Sequence, residues 1–273
     1  MGKLFIVGTP IGNLEDITLR ALRTLRAVDL VAAEDTRVTG RLLKHFEIDV
    51  PLLSFHDFSS DERLAQLLDR LETQNIALVT DAGMPGVSDP GYRLIAAATA
   101  AGLPVEVIPG PTAAITALVS SGLPSDRFQF LGFLSRTSKA RRAELAAVVD
   151  FPGTLILYES PHRLLACLAD MEAVLGDRPV AVGRELTKLY EEVWRGPISG
   201  ARAEFGARDR IRGEITLVVG GQTVGSDEWD EDRVRKALQA RLSAGEPRKQ
   251  AAAAIAELSG WRKRDVYALS LED

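Results

Sequence analysis

Short runs of strand length alternate with helical patterns along most of this chain. Leu4–Val7, Ile76–Val79 and Val105–Ile108 are typical of buried strands, and the segments between the runs repeat apolar residues every three or four positions. Strands joined by helical crossovers lie parallel to one another. The pattern therefore predicts α/β domains with largely parallel sheets.

Two segments rich in turn-forming residues divide the chain, at residues 122–126 and 220–226. After the second of them three helical patterns follow, and Gly260 stands where a helix C-terminal glycine belongs. We expect an N-terminal α/β domain of residues 1–122, a second α/β domain of residues 127–221 and a small helical extension of residues 227–273.

Charge and apolar content limit the classes of function. The formal net charge is −5, whereas proteins that bind free nucleic acid usually carry a basic surface. Any RNA substrate is therefore expected as part of an assembled particle. We see no secretory pattern and no run near the ~20 apolar residues of a membrane span, so we expect a cytoplasmic protein. The three histidines lack metal-ligand spacing, and we expect no metal.

Three loops rich in glycine and proline follow predicted strands, where open α/β sheets bind ligands. The first, Gly8–Asn13, lacks the lysine and hydroxyl of a phosphate-binding loop, which leaves a phosphate-free ligand or an ordinary tight turn. The second, Thr80–Gly91, presents two aspartates, and Asp89 either serves a ligand or caps a helix that begins near Pro90. In the third, Pro111 is expected at the first position of a helix, with Thr112 at that helix N-terminus.

Ionisable side chains gather after three other strands. Glu34–Arg37 is either a functional cluster or a capped helix start. Tyr158–Arg163 and Arg184–Glu192 are comparable clusters, and in the former Ser160 is expected to cap a helix with Pro161 at its first position.

Seven blocks occur in order between residue 3 and about residue 220. They are Val7–Leu14, Ala33–Arg37, Asp81–Pro85, Ser88–Gly91, Pro109–Ala113, Tyr158–Arg163 and Arg184–Lys188. Together they resemble the tetrapyrrole-methylase superfamily and, within it, most closely the ribosomal RNA small-subunit methyltransferase I family. The tail, with Arg248–Ala251 and Trp261–Arg264, is similar to that family's C-terminal helical extension.

The resemblance implies two α/β domains with S-adenosylmethionine bound in the cleft between them. It also implies methylation of the ribose 2′-oxygen of a decoding-centre cytidine in 16S ribosomal RNA of the small subunit, and a homodimer. The implied cofactor-binding residues are Pro10, Asp81, Met84, Thr112, Ala113 and Tyr158. The expected catalytic residues are Glu34, Asp35, Arg37, Asp89 and Glu185. The expected substrate-binding residues are Arg163, Arg184, Lys188, Arg262, Lys263 and Arg264.

Methyl transfer to a hydroxyl is an in-line displacement, so most of the catalysis is expected from alignment of the reacting atoms. A base adds about 10²–10⁴-fold, and the sequence leaves it open among Glu34, Asp35, Asp89 and Glu185. Two alternatives remain at this stage. One is a methyltransferase acting on corrin or porphyrin carbons, and the other is a non-catalytic ribosome-assembly factor with the same fold.

Overall fold

The computed structural model describes residues 1–222 and 229–271. Its contacts divide the chain into two compact units, residues 1–221 and residues 222–273. The expected break at residues 220–226 and both ends of the expected extension fall partly outside the described residues. Within the described part of the chain, no helix is long and apolar enough to cross a lipid bilayer.

The first unit contains two five-stranded sheets. Strands of the first sheet are β1 (Leu4–Val7), β2 (Leu30–Ala33), β3 (Leu52–Ser54), β4 (Ile76–Val79) and β5 (Val105–Ile108). Their order is β3-β2-β4-β1-β5, and every pairing is parallel. Strands β2 and β4 are buried at every position, as expected of a parallel sheet covered on both faces.

Five helices accompany this half of the chain. They are α1 (Leu19–Ala27), α2 (Thr36–His45), α3 (Asp61–Leu71), α4 (Tyr92–Ala100) and α5 (Ala113–Ser121). A short 3-10 helix, Leu14–Asp16, precedes α1. Helix α5 packs against the second sheet, where Ala114, Ala117 and Leu118 share a core cluster with Ile156 and Val218. A helix from the expected first domain thus covers the sheet of the expected second domain.

The second sheet is mixed, so the expectation of largely parallel sheets is wrong here. Its strands are β6 (Phe128–Phe133), β7 (Thr154–Glu159), β8 (Pro179–Arg184), β9 (Glu192–Pro197) and β10 (Ile215–Val219). In the order β6-β7-β10-β8-β9, only the β6–β7 pair is parallel. Strands β8 and β9 follow one another through a loop without a crossover helix, and such a connection permits antiparallel pairing.

Three further helices belong to this half: α6 (Ser138–Ala146), α7 (Leu164–Leu175) and α8 (Ile198–Gly206). The expected start of α7 at Pro161 is wrong, because residues 161–163 form a turn in which the Arg163 amide donates to the Ser160 carbonyl at 3.0 Å. Pro111 likewise lies outside its helix. Thr112 is the N-cap of α5, and its hydroxyl accepts from the Ile115 amide.

The second unit is a small helical domain. Its helices are α9 (Glu231–Ser243), α10 (Arg248–Ser259) and α11 (Lys263–Leu269). They pack around a core that includes Val234, Ile255 and Val266. Gly260 follows α10 in the left-handed conformation, at φ 72°, as expected of a C-terminal glycine.

Candidate active site

Three loops meet where β1, β4 and β5 end. The backbones of Thr9 and Gly83 exchange two hydrogen bonds, of 2.9 and 3.1 Å, which join the first loop to the second. Gly8 lies against Gly110 of the third loop so closely that a Cβ on Gly8 would be 2.7 Å from the Cα of Gly110. Glycine at position 8 is therefore required by the contact between two loops, and not by a tight turn.

A cavity of about 300 Å³ opens beside these loops, between the first and second sheets. From the first half of the chain it is lined by Ile11, Ala82, Gly83, Met84, Val87, Ser88, Asp89, Thr112 and Ala113. From the second half it is lined by Phe133, Tyr158, Glu159, Ser160, Pro161, Gly213, Glu214, Ile215 and Thr216. We call it the central cavity. These residues include three carboxylates and neither lysine nor arginine.

An adjoining cavity of about 360 Å³ shares Ile11, Ala82 and Glu214 with the central cavity. Of the six expected cofactor-binding residues, four line the central cavity and two, Pro10 and Asp81, line the adjoining one. The structure thus brings all six to one cleft, although they come from four separate segments. Their contact with a cofactor stays a prediction.

Asp89 does not cap α4. The N-cap of that helix is Gly91, without a side-chain hydrogen bond, so the helix-cap alternative is wrong. Among the described residues, the Asp89 carboxylate has no hydrogen-bond donor or ion-pair partner. Burial, followed by the negative charges of Glu34, Asp81 and Glu214, raises the pKa of Asp89 to about 7. A carboxylate with this pKa can accept a proton near neutral pH.

Glu34 and Asp81 join the segments that follow β2 and β4 through hydrogen bonds to each other's backbone region. The Glu34 carboxylate accepts from the Asp81 amide at 3.2 Å, and the Asp81 carboxylate accepts from the Asp35 amide at 3.2 Å. Burial raises the pKa of both carboxyls. Their hydrogen bonds to backbone amides hold the two loops together. Their carboxylates also add negative charge near the cavities.

Asp35 has a structural role in the Glu34–Arg37 cluster. It is the N-cap of α2, accepting from the Arg37 amide at 2.8 Å, and it forms an ion pair of 2.6 Å with the Arg37 side chain. The hydrogen bonds from Arg37 hold the pKa of Asp35 well below its usual range. The capped-helix alternative therefore describes Asp35. The Arg37 side chain, although paired with Asp35, is 83% exposed.

Glu185 and Lys188 are paired with each other. Glu185 has a φ of 50°, and its Oε1 accepts from the Lys188 ammonium and from the Glu214 amide, both at 2.9 Å. Burial raises the pKa of Glu185, but these two hydrogen bonds and the positive charges of Lys188 and Arg184 together outweigh it, and the pKa lies below its usual value. The Lys188 stem packs against Gly12, and both residues line the adjoining cavity.

Two of the expected RNA-binding arginines, in the turn before α7 and at the end of β8, are engaged internally. Arg163 donates to the carbonyls of Leu134 and Ser135 and lies 3.3 Å from the Glu159 carboxylate. Arg184 donates to Glu192 at 2.9 Å. In the second unit, by contrast, the stretch Arg262–Arg264 is exposed at the start of α11.

Sequence reasoning did not identify Glu159 as a site residue. Glu159 is 2% exposed and lines the central cavity. One of its carboxylate oxygens lacks a hydrogen-bond partner in the described structure. Its place in the ionisable cluster Tyr158–Arg163, directly after a predicted strand, was the available signal. In the described ranges, no group of three His, Cys, Asp or Glu side chains is arranged to hold a metal ion.

Comparison with known proteins gives the family. Residues 3–201 match the family described as Tetrapyrrole (Corrin/Porphyrin) Methylases, and residues 227–273 match the RsmI C-terminal HTH domain. The chain is 48% identical to a Synechocystis protein named Ribosomal RNA small subunit methyltransferase I, over 100% of this chain and 98% of the relative. The chain belongs to this methyltransferase I family.

Two further relatives of the same name support this family membership. An Escherichia coli O157:H7 protein of the same name is 49% identical over 99% of this chain and 95% of its own length. A Thermotoga maritima protein of that name is 48% identical over 223 residues, which are 81% of this chain and 100% of the relative. That member is therefore shorter, with a length close to that of the first unit alone.

Solved structures show the fold of the first unit. A uroporphyrin-III-C-methyltransferase from Thermus thermophilus is similar with a TM-score of 0.57 and 26% identity, over 81% of this chain and 94% of that chain. A diphthine synthase is similar with a TM-score of 0.61 and 16% identity, over 82% and 92%. The fold thus occurs in enzymes with different substrates, and the closer sequence relatives, not the fold, indicate the substrate.

Proposed function

We propose that this chain transfers a methyl group from S-adenosylmethionine to the ribose 2′-oxygen of a decoding-centre cytidine in 16S ribosomal RNA. The observation that carries the proposal is 48–49% identity, over nearly the whole chain, to proteins named for methylation of small-subunit ribosomal RNA. Neither alternative, the corrin or porphyrin methyltransferase or the non-catalytic assembly factor, has better support.

The central cavity fits the cofactor. When bound, S-adenosylmethionine supplies an electrophilic methyl group on a positively charged sulfur. The carboxylates of Asp89, Glu159 and Glu214 favour positive charge at this place, and the lining has no cation to repel it. Apolar atoms of Met84 and Ala113 are suited to hold the adenine ring, with Thr112 and Tyr158 as polar contacts.

Asp89 is the base that this structure favours. Asp35 caps a helix, Glu185 is paired with Lys188, and Glu34 accepts a backbone hydrogen bond. Asp89 alone of the four expected carboxylates both lines the central cavity and lacks a partner in the part of the chain that the structure describes. We assign it the proton of the 2′-hydroxyl, and we assign Glu34, Asp35 and Glu185 to positioning of the loops.

The second unit is proposed to add contacts to the small subunit through Arg262, Lys263 and Arg264. The alternative is a solvated helix face. Replacing all three by glutamate should raise KM for small subunits about 10-fold or more, because phosphate contacts would become repulsive. The value of kcat should stay the same, since a family member of about the first unit's length exists.

Steady-state methylation of purified small subunits measures this effect. The matched control is R23E/K44E/R127E, which changes the charge equally at three exposed positions of the first unit. An unchanged KM in the Arg262–Arg264 variant would leave the solvated face as the explanation.

A homodimer is also proposed. Ile115 and Val119 are 46% and 75% exposed and lie one turn apart on α5, and exposed apolar faces of this kind mark interaction sites. Light scattering should give twice the chain mass for the unaltered protein and a single-chain mass for Val119→Asp. A single-chain mass for both would exclude the dimer.

A further inference from the structure

A third cavity, of about 390 Å³, shares Gly213 with the central cavity. It is lined by Arg184, Glu185, Tyr190, Arg208, Arg210, Ile211, Arg212 and Gly213. We call it the arginine cavity. Four guanidinium groups around one concave site stand out on a chain whose net charge is −5.

Two of these arginines are fixed in place. Arg208 forms two hydrogen bonds to the Glu192 carboxylate, of 2.9 and 2.6 Å, and stacks on the Phe205 ring at 4.1 Å from its centroid. Arg184 shares the same carboxylate. Arg208 also reaches Glu204 at 2.8 Å, so the carboxylates of Glu192 and Glu204 offset the charge of this pair.

The excess positive charge comes from the other two. Arg210 and Arg212 are exposed, and neither side chain has a hydrogen bond or ion pair within residues 1–222 and 229–271. Asp209, next to Arg210, is exposed to solvent. Glu185 is paired with Lys188, whose ammonium also forms an ion pair with Glu214 at 3.0 Å. The free guanidinium groups therefore offer planar, paired donors of the kind that bind phosphate oxygens.

An aromatic side chain completes the site. Tyr190, at the rim, is 69% exposed, and its neighbour Leu189 is 88% exposed. Such apolar exposure is unfavourable in water, and an exposed aromatic beside arginines is the arrangement that stacks an unpaired base while its phosphates are held.

The arginine cavity adjoins the central cavity through one shared residue. Gly213 lines both cavities, and at φ 90° a Cβ there would lie 2.4 Å from the Glu185 side chain. Glu185 in turn accepts from the amide of Glu214, which lines the central cavity. A strand bound along the arginines would therefore lie next to the cavity proposed to hold the methyl donor.

We infer that the arginine cavity binds the single-stranded RNA that flanks the methylated nucleotide, with Arg210 and Arg212 on phosphates and Tyr190 stacked on a base. This inference rests on the proposed function for the identity of the RNA. It assigns to Arg210, Arg212 and Tyr190 a role that the sequence pattern had not indicated, and it makes Arg184 a wall of the site, held by Glu192.

The test measures RNA binding separately from methylation. A fluorescein-labelled single-stranded RNA of the decoding-centre sequence is titrated by anisotropy over a range of salt concentrations. R210A/R212A should bind about 10-fold or more weakly, and the slope of log K against log salt should fall by about 1.4, since each single-strand phosphate contact contributes about 0.7. The control R23A/R127A removes the same charge from exposed positions elsewhere and should match the unaltered chain.

A second pair of variants tests stacking. Tyr190→Ala should weaken RNA binding at least about 5-fold, whereas Tyr190→Phe should retain it. Calorimetry should show unchanged S-adenosylmethionine affinity in all four variants, because none of these side chains lines the central cavity.

The outcomes separate the two proposals. Unchanged RNA affinity and salt slope in R210A/R212A would overturn the inference, even with methylation intact. A loss of binding to assembled small subunits without loss for the free RNA would indicate a protein partner and would also overturn it. If the unaltered chain methylates no ribosomal RNA, the proposed function fails, and the RNA-binding comparison still decides the role of the cavity.

Discussion

Asp89→Asn should lower kcat for methylation of small subunits by about 10²–10⁴-fold, the usual contribution of a base in the transition state. The amide keeps the shape of the side chain but cannot take the proton of the 2′-hydroxyl. In the unaltered chain, log(kcat/KM) should rise with pH and level off above about 7, because burial raises the pKa of Asp89 to about 7 and only the ionised form accepts a proton. In the variant this rise should disappear.

The control is Asp126→Asn, which removes a carboxylate from the exposed segment before β6 and should keep both the rate and the pH profile. Rates are compared at saturating S-adenosylmethionine, so that weaker attraction of the sulfonium changes KM and not kcat. A variant with raised KM, unchanged kcat and an unchanged pH profile would contradict the role of Asp89 as base and leave it only as a negative charge.

Gly110→Ala should weaken S-adenosylmethionine binding strongly. The new Cβ would lie 2.8 Å from the Cα and 2.9 Å from the carbonyl carbon of Gly8, and both atoms belong to the backbone, so the first and third loops must separate. Overpacking of this kind costs about 1–3 kcal/mol, which corresponds to about 5–150-fold in the dissociation constant if the strain is relieved only by opening the cleft.

Gly206→Ala is the matched control. Gly206 ends α8, its Cβ would meet no atom within 4 Å, and its φ is not in the left-handed region. Calorimetry with S-adenosylmethionine and thermal melting should show unchanged affinity and an equal or slightly higher Tm for this variant. Equal affinity and Tm in Gly110→Ala and the unaltered chain would show that the contact between the two loops does not shape the site.

Four of the five strands of the first sheet could be predicted from the sequence because they carry a local signal. Buried runs such as Leu30–Ala33 and Ile76–Val79 need no knowledge of their partners, and the three helices of the second unit have clear helical periods. The direction of pairing in the second sheet could not be predicted, since it depends on which strands become neighbours. Helix α8 and strand β3 were missed because their apolar patterns are short and weak.

The sequence predicts which residues lie at the site, but not what each of them does there. The glycine and acidic loops marked the cleft, yet the contact between Gly8 and Gly110 joins residues far apart in sequence, and no local pattern contains it. Asp35 and Asp89 look alike in sequence, as acids before a helix. Only the structure separates them, because Asp35 caps α2 whereas the N-cap of α4 is Gly91. The hydrogen-bond partners of Arg163 and Arg184 could not be predicted either, because no local sequence pattern identifies them.

Transfer of a tritiated methyl group from S-adenosylmethionine to purified small ribosomal subunits, mapped to a single nucleotide, tests the central claim most directly. The account predicts label on the ribose 2′-oxygen of one decoding-centre cytidine, and loss of that label in Asp89→Asn. Label on a corrin or porphyrin instead, or no transfer to the subunit although the chain binds S-adenosylmethionine, would contradict it.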